Sequence, residues 1–213
     1  MARTPYRRVP SGFRFTGREL RDLAIAWLAL GVAFTLFLDR RELLAALDAP
    51  GPEAAMTVGL LLVRALITVG IGFLLHELAH KAVAVHYGQI AEFRADYGML
   101  GLAIVAGLAG FLFAAPGAVY HQGRISAREN GLIALAGPVT NLALAALFLP
   151  VAFLGGYAGD VGNLGVLVNV LLAAFNMIPY GPLDGRKVIA WSNVVYAVVA
   201  VPTIGLGVWL LLF

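Results

Sequence analysis

His76, Glu77 and His80 stand together as "HELAH" inside the apolar run "LITVGIGFLLHELAHKAVAVHYG". Ionisable groups in hydrocarbon each carry a penalty of several kcal/mol, so three of them within five residues need a cause. Residues four apart on a helix share a face, which lets His76 and His80 grip one ion. Glu77 is turned by about a third of a circle from His76 and reaches a water beside the ion rather than the ion itself. Two imidazoles holding Zn²⁺, with a carboxylate to take a proton from water, is the chemistry this spacing supports.

A catalytic zinc ordinarily takes a third protein ligand and keeps one position open. His86 lies six residues past His80, but Val83 stands where a turning glycine would be required. The helix therefore continues, and His86 points roughly 240° away. Glu92 and Asp96, in "GQIAEFRADYG", read as solvated loop charges beside Arg94, and His121 reads as interfacial. Asp184 lies in "FNMIPYGPLDGRKV", where Asn176, Pro179, Pro182 and Gly185 crowd into ten residues. The prolines remove backbone donors and unwind the helix, at a cost that an ion site or a water-filled cavity can offset. An ordinary loop with a surface Asp is the plainer reading of that stretch.

These residues need elements to place them. The chain has 213 residues, 61% of them hydrophobic and only 13% charged, against about a quarter charged in soluble domains. It reads as an all-α multi-pass membrane protein, one integral-membrane domain over 1–213, with no appended domain expected. The net charge of +3 gathers at the start, with Arg3, Arg7, Arg8, Arg14, Arg18 and Arg21 before the first apolar segment. That placement fits a cytoplasmic basic segment, 1–22, meeting anionic lipid; nucleic-acid binding is not indicated. Cysteine is absent, which excludes disulfides and thiolate metal sites. No secretory signal is expected, because some twenty polar residues precede the first apolar run.

Five apolar runs have spanning length: Leu23–Leu38, about Met56–Tyr87, Gly131–Leu154, Asn163–Ile178 and Val188–Phe213; a sixth, Met99–Tyr120, is Gly-rich and holds Pro116. With the amino terminus inside, the second span returns "HELAH" to the cytoplasmic side, with Lys81 and Arg94 inside. If Met99–Tyr120 dips in and turns back, Arg124 and Arg128 stay inside. The loop Gly155–Gly162, which has Asp160 but no Lys or Arg, then falls outside, and Arg186 and Lys187 fall inside. Arg64 reads as a side chain snorkelling near the outer interface. The same topology brings Asp184 to the depth of His76 and His80, making it the best third ligand.

Together these stretches resemble the site-2 protease family of intramembrane zinc metalloproteases (peptidase family M50). The family pairs HExxH with a later N-x-x-P-x-x-x-x-D-G motif, here Asn176 through Pro179 to Asp184-Gly185, and "GPVTN", Gly137–Asn141, resembles its G-P-x-x-N. The resemblance covers about 57–187, which would be the catalytic core, and leaves 188–213 as a carboxy-terminal membrane segment. It implies one Zn²⁺ per chain on His76, His80 and Asp184, with Glu77 as general base and Asn176 as a catalytic group for the oxyanion or substrate. It also implies substrate contacts at Asn141 and at Gly117, Ala118 and Val119, within a membrane-associated β or re-entrant element between the HExxH helix and the next span. "FLFAAPGAVY" is the strand-like part. The implied partners are a transmembrane protein substrate and the cell-membrane bilayer, with the site toward the cytoplasm. Met177 departs from members with Pro after the Asn, and the chain matches the short form, without PDZ or CBS domain. A divalent-metal transporter and an inactive protease-like scaffold are the rival readings. Nothing in the pattern selects an oligomeric state.

Overall fold

Each long apolar run folds as a helix, because hydrocarbon leaves backbone groups no partner except one another. The structure, a computed structural model, describes residues 12–111 and 116–213. The expectations resting on Arg3, Arg7 and Arg8, and on residues 112–115 of "FLFAAPGAVY", lie outside the described residues.

In chain order the elements are α1 (Gly17–Leu38), α2 (Arg40–Asp48), α3 (Pro52–Ala65), a π-helical stretch Leu66–Gly70, α4 (Ile71–His86), β1 (Ile90–Ala95), α5 (Tyr97–Ala109), β2 (Gly117–Gln122), α6 (Ala127–Ala152), α7 (Gly156–Asn176), α8 (Asp184–Trp191) and α9 (Asn193–Leu212). Five helices among the described residues are long and apolar enough to cross a membrane: α1, the continuous Pro52–His86, α6, α7 and α9. The molecule is a multi-pass, mostly helical membrane protein. Helix starts follow the polar residues that precede them. Thr16 caps α1, Asp96 caps α5, Ser192 caps α9, and Ser126 with Glu129 forms a reciprocal capping box on α6.

Lipid tails are as apolar as leucine, so spans associate through close packing and polar contacts rather than water exclusion. On α7, Gly159 and Gly162 leave no room for a Cβ, which would sit 2.0 Å from Leu154 O and 2.2 Å from Ala152 N. These glycines let α7 fold tightly back on α6. One buried cluster joins Leu23, Ala26, Leu30 and Phe34 of α1 to Val69, Phe73, Phe93, Leu100 and Val168. Another joins Ala134, Met177, Val188 and Ala200.

Several sequence expectations are corrected. The second span is a 35-residue helix from Pro52, interrupted by the π stretch, where Trp27 Nε1 donates to Leu66 O at 3.0 Å. Arg64 does not snorkel; it pairs with Asp39 at the end of α1. Gly155–Gly162 is not a loop, since α7 begins at Gly156 and includes Asp160. Val188–Phe213 is two helices, because the chain is extended at Ser192.

The region between α4 and α6 folds back as expected. β1 and β2 are antiparallel, pairing Ile90 with Gln122 through Ala95 with Gly117, and Asp96 N donates to Pro116 O at 3.1 Å. The chain leaves and re-enters at one end of this ribbon. The intervening α5 has 13 residues, roughly 20 Å of helix against about 30 Å of hydrocarbon.

Lys81, which the charge-based topology puts on the inner side, does not stand free there. It is buried with Glu19 of α1, both side chains 1% exposed, at Nζ–Oε2 2.5 Å. Glu19 Oε1 also accepts Phe93 N at 3.0 Å, and Asp22 Oδ2 accepts Ala95 N at 3.3 Å, so α1 occupies the outer edge of β1. Removing one partner of a buried pair strands the other charge, at about 3–5 kcal/mol. Glu19→Ala is therefore expected to lower thermal stability sharply, and a second change, Lys81→Met, to restore part of it. Unfolding scans of the purified protein in detergent check this; equal stability of wild type and Glu19→Ala would contradict it.

Candidate metal centre

Asn176 ends α7, and the two prolines and Gly181 (φ +57°) carry the chain through an irregular turn to Asp184, the first residue of α8. Gly185 permits the tight return, since a Cβ there would lie 2.2 Å from Met177 O. Asp184 thus arrives against α4, one turn of which carries His76 and His80. The three side chains are buried and form one group able to hold a metal ion.

The ligand atoms converge. His76 Nε2 and His80 Nε2 are 3.0 Å apart, and Asp184 Oδ2 lies 3.4 Å from the first and 3.1 Å from the second. Ligands of a tetrahedral ion with bonds of about 2.0–2.1 Å stand about 3.3 Å from one another. Hydrogen bonding on the far side of each ring decides which nitrogen is bare. His80 Nδ1 donates to the carbonyl of Ile133 on α6 at 2.7 Å. His76 Nδ1 lies 2.6 Å from Asn141 Oδ1, an acceptor. Both Nε2 atoms therefore present lone pairs to each other and to a carboxylate, an arrangement that a cation resolves. The donor set, two imidazoles and one carboxylate, suits zinc.

Gly137 on α6 makes the space. A Cβ at that position would lie 2.5 Å from His76 Nε2 and 2.6 Å from His80 Nε2. Glu77, next to the ligands and 7% exposed, accepts the backbone N–H of Val119 on β2 at 3.1 Å through Oε2. The β2 edge facing away from β1 is therefore turned toward the Glu77 carboxylate.

The other sequence candidates fall in different places. Asn141 is fully buried, with Oδ1 on His76 and its amide nitrogen donating to two further acceptors. The sequence expectation of a substrate contact at Asn141 meets an amide whose every polar atom is committed inside the protein, with Oδ1 against His76 Nδ1. Asn176 Nδ2 donates to Leu172 O of its own helix at 2.9 Å. Gly117, Ala118 and Val119 lie on β2 beside Glu77. His86 is exposed and packs against Tyr87, Asp96 caps α5, and Glu92 pairs with Arg94. His121 is half-buried on β2.

Two neighbours of the site were missed. Lys187 Nζ lies 3.4 Å from Asp184 Oδ1, and Gly137 is the contact just described. Sequence held a signal for the second: "GPVTN" places Gly137 and Asn141 four apart, on one helix face.

Comparison with known proteins gives two named relatives. The chain is 40% identical over 198 residues to "Putative zinc metalloprotease MJ0611" of Methanocaldococcus jannaschii, covering 91% of this chain and 94% of that protein. It is 30% identical over 146 residues to "Putative zinc metalloprotease YwhC" of Bacillus subtilis, covering 58% of this chain and 66% of that protein. No family model matches, and no solved structure matches.

Proposed function

This chain belongs to the zinc metalloprotease family of these relatives, and from that premise we propose that it is a site-2-protease-type enzyme, hydrolysing peptide bonds within or near the membrane-spanning segments of other proteins. The observation that carries the proposal is the buried His76–His80–Asp184 group with the Glu77 carboxylate beside it, in a chain whose described residues hold five membrane-length helices.

When bound, zinc supplies a Lewis acid that lowers the pKa of water and polarises the scissile carbonyl. Glu77 takes the proton of the attacking water and passes one to the leaving amine, so that a carboxyl and an amine terminus result. The Val119 N–H holds this carboxylate toward the reacting water. Asn176 serves the developing oxyanion by turning its amide from Leu172 O toward the substrate. A helical substrate hides its amides in its own hydrogen bonds and must unwind before it can be cut. The outer edge of β2, running through Gly117, Ala118 and Val119, offers strand pairing to the unwound segment beside the Val119 N–H, which itself stays on Glu77. The irregular Met177–Leu183 turn admits water.

Orientation follows from charge. Arg18 and Arg94 line one cavity with the sheet residues Ile90, Tyr120 and Gln122, Arg14 O and Arg124 O accept from Lys81 and Gln89, and Lys187 lies against Asp184. The proposal places this end, and the amino terminus, on the cytoplasmic side of the cell membrane. It treats 1–213 as one protease domain with its core at 57–187.

Asp184→Ala tests the ligand set. The variant is expected to lose bound zinc and cleavage together, measured by metal analysis of protein purified in detergent. Unchanged zinc stoichiometry would remove Asp184 from the site.

A further inference from the structure

Asn169 lies in the middle of α7 and touches no ligand of the metal group, yet it is 0% exposed in a membrane-length helix. A buried amide there requires partners, and it has them. Its Nδ2 donates to Gly165 O one turn earlier at 2.9 Å, and its Oδ1 accepts Asn141 Nδ2 at 2.8 Å. Asn141 Nδ2 donates its second hydrogen to Gly72 O on α4 at 3.1 Å. Asn141 Oδ1 is left facing His76 Nδ1.

We propose that Asn169 is a positioning residue for the metal centre, fixing through Asn141 which nitrogen of His76 is free to bind. The inference rests on the metal-site reading above and concerns the apparatus behind it. A carboxamide is nearly symmetric in shape, so nothing steric stops Asn141 from turning over. Turned, it would offer an N–H to His76 Nδ1. The ring proton would then move to Nε2, and the lone pair that faces Asp184 and His80 would be lost.

Hydrogen bonding forbids that inversion. Asn141 would point Oδ1 at Gly72 O and at Asn169 Oδ1, setting acceptor against two acceptors where no water reaches. Asn169 cannot relax by turning over in its own right, because its Oδ1 would then face Gly165 O, acceptor against acceptor. The chain of bonds has one consistent sense, running from Gly165 O through two amides to His76. Gly72 makes room for it: a Cβ there would lie 2.7 Å from Asn169 Oδ1. Through this relay α7, which supplies none of the three ligands, sets the chemistry of one of them.

Chelator competition for zinc and the absorption spectrum of the cobalt(II)-loaded full chain test this in detergent. Asn169→Leu, close in shape but without polar atoms, is expected to weaken zinc binding by about 10- to 100-fold, the usual cost of losing an outer partner of a ligand, and to shift the cobalt bands. Asn169→Asp, which as a neutral acid keeps both hydrogen bonds, is expected to bind near wild-type strength. In an Asn141→Leu background, Asn169→Leu should add no further loss, because both act through one bond. Unchanged affinity in Asn169→Leu, or the full loss repeated in the Asn141→Leu background, would overturn the proposal. Ring ¹⁵N shifts of His76 in the metal-free wild-type chain need no variant: Nδ1 carries a proton whatever the state of Nε2, and a bare Nδ1 refutes the relay. A wild type that binds no zinc would instead refute the metal-site reading, and the ¹⁵N result would still decide the relay.

Discussion

Glu77→Gln is expected to lower cleavage of a single-span test substrate by about two to four orders of magnitude, the usual contribution of a general base, while zinc content stays at the wild-type level. The substitution keeps the shape of the side chain and an oxygen to accept the Val119 N–H. What it removes is the ability to hold a proton between water and leaving amine. Because Glu77 is not one of the three converging ligand residues, the metal site is untouched. A transporter or an inactive scaffold built on the same ligands would be indifferent to this change, so the split between activity and metal content separates the readings. Cleavage at the wild-type rate would sink the mechanism.

Gly137→Ala is expected to produce the converse pattern, a metal defect with no ligand changed. The added methyl would sit 2.5 Å from His76 Cε1 and Nε2 and 2.6 Å from His80 Nε2, closer than any carbon is tolerated. α6 cannot retreat freely, since it also holds His80 through Ile133 O and His76 through Asn141. The rings must move, and zinc affinity should fall at least as far as when an outer partner is lost, about 10- to 100-fold. Helix content should persist, because Ala exceeds Gly in helix propensity by about 1 kcal/mol. Gly205→Ala on α9, where nothing lies within 4 Å of the added carbon, is the control and should bind zinc normally. Equal chelator-competition curves for Gly137→Ala and Gly205→Ala would show that the space at Gly137 is not needed.

The metal group was largely legible because its signals are local. Helical spacing places His76 and His80 on one face, and ionisable residues are conspicuous in an apolar run. The proline-rich turn before Asp184 announced a break whose depth followed from counting spans. The supporting bonds were not legible, because each joins residues far apart in the chain. Asn141 meets His76 across 65 positions, and Lys81 meets Glu19 across 62. A lysine beside a span reads as an interfacial charge until the strand and helix that enclose it are known. Arg64 was misread for the same reason, its partner Asp39 lying 25 positions away. The π-helical stretch escaped because "LITVG" carries no proline and its one glycine is common in membrane helices, while the turn is held from outside by Trp27.

The central claim is that this zinc site cuts peptide bonds at membrane depth. The direct measurement is mass-spectrometric mapping of the products when the enzyme and a single-span substrate are reconstituted in the same bilayer, before and after zinc is stripped and restored. The account predicts a cut within or at the edge of the substrate's apolar span that disappears on stripping and returns with zinc. Cuts confined to the substrate's soluble flanks, or cleavage that survives complete removal of metal, would contradict it.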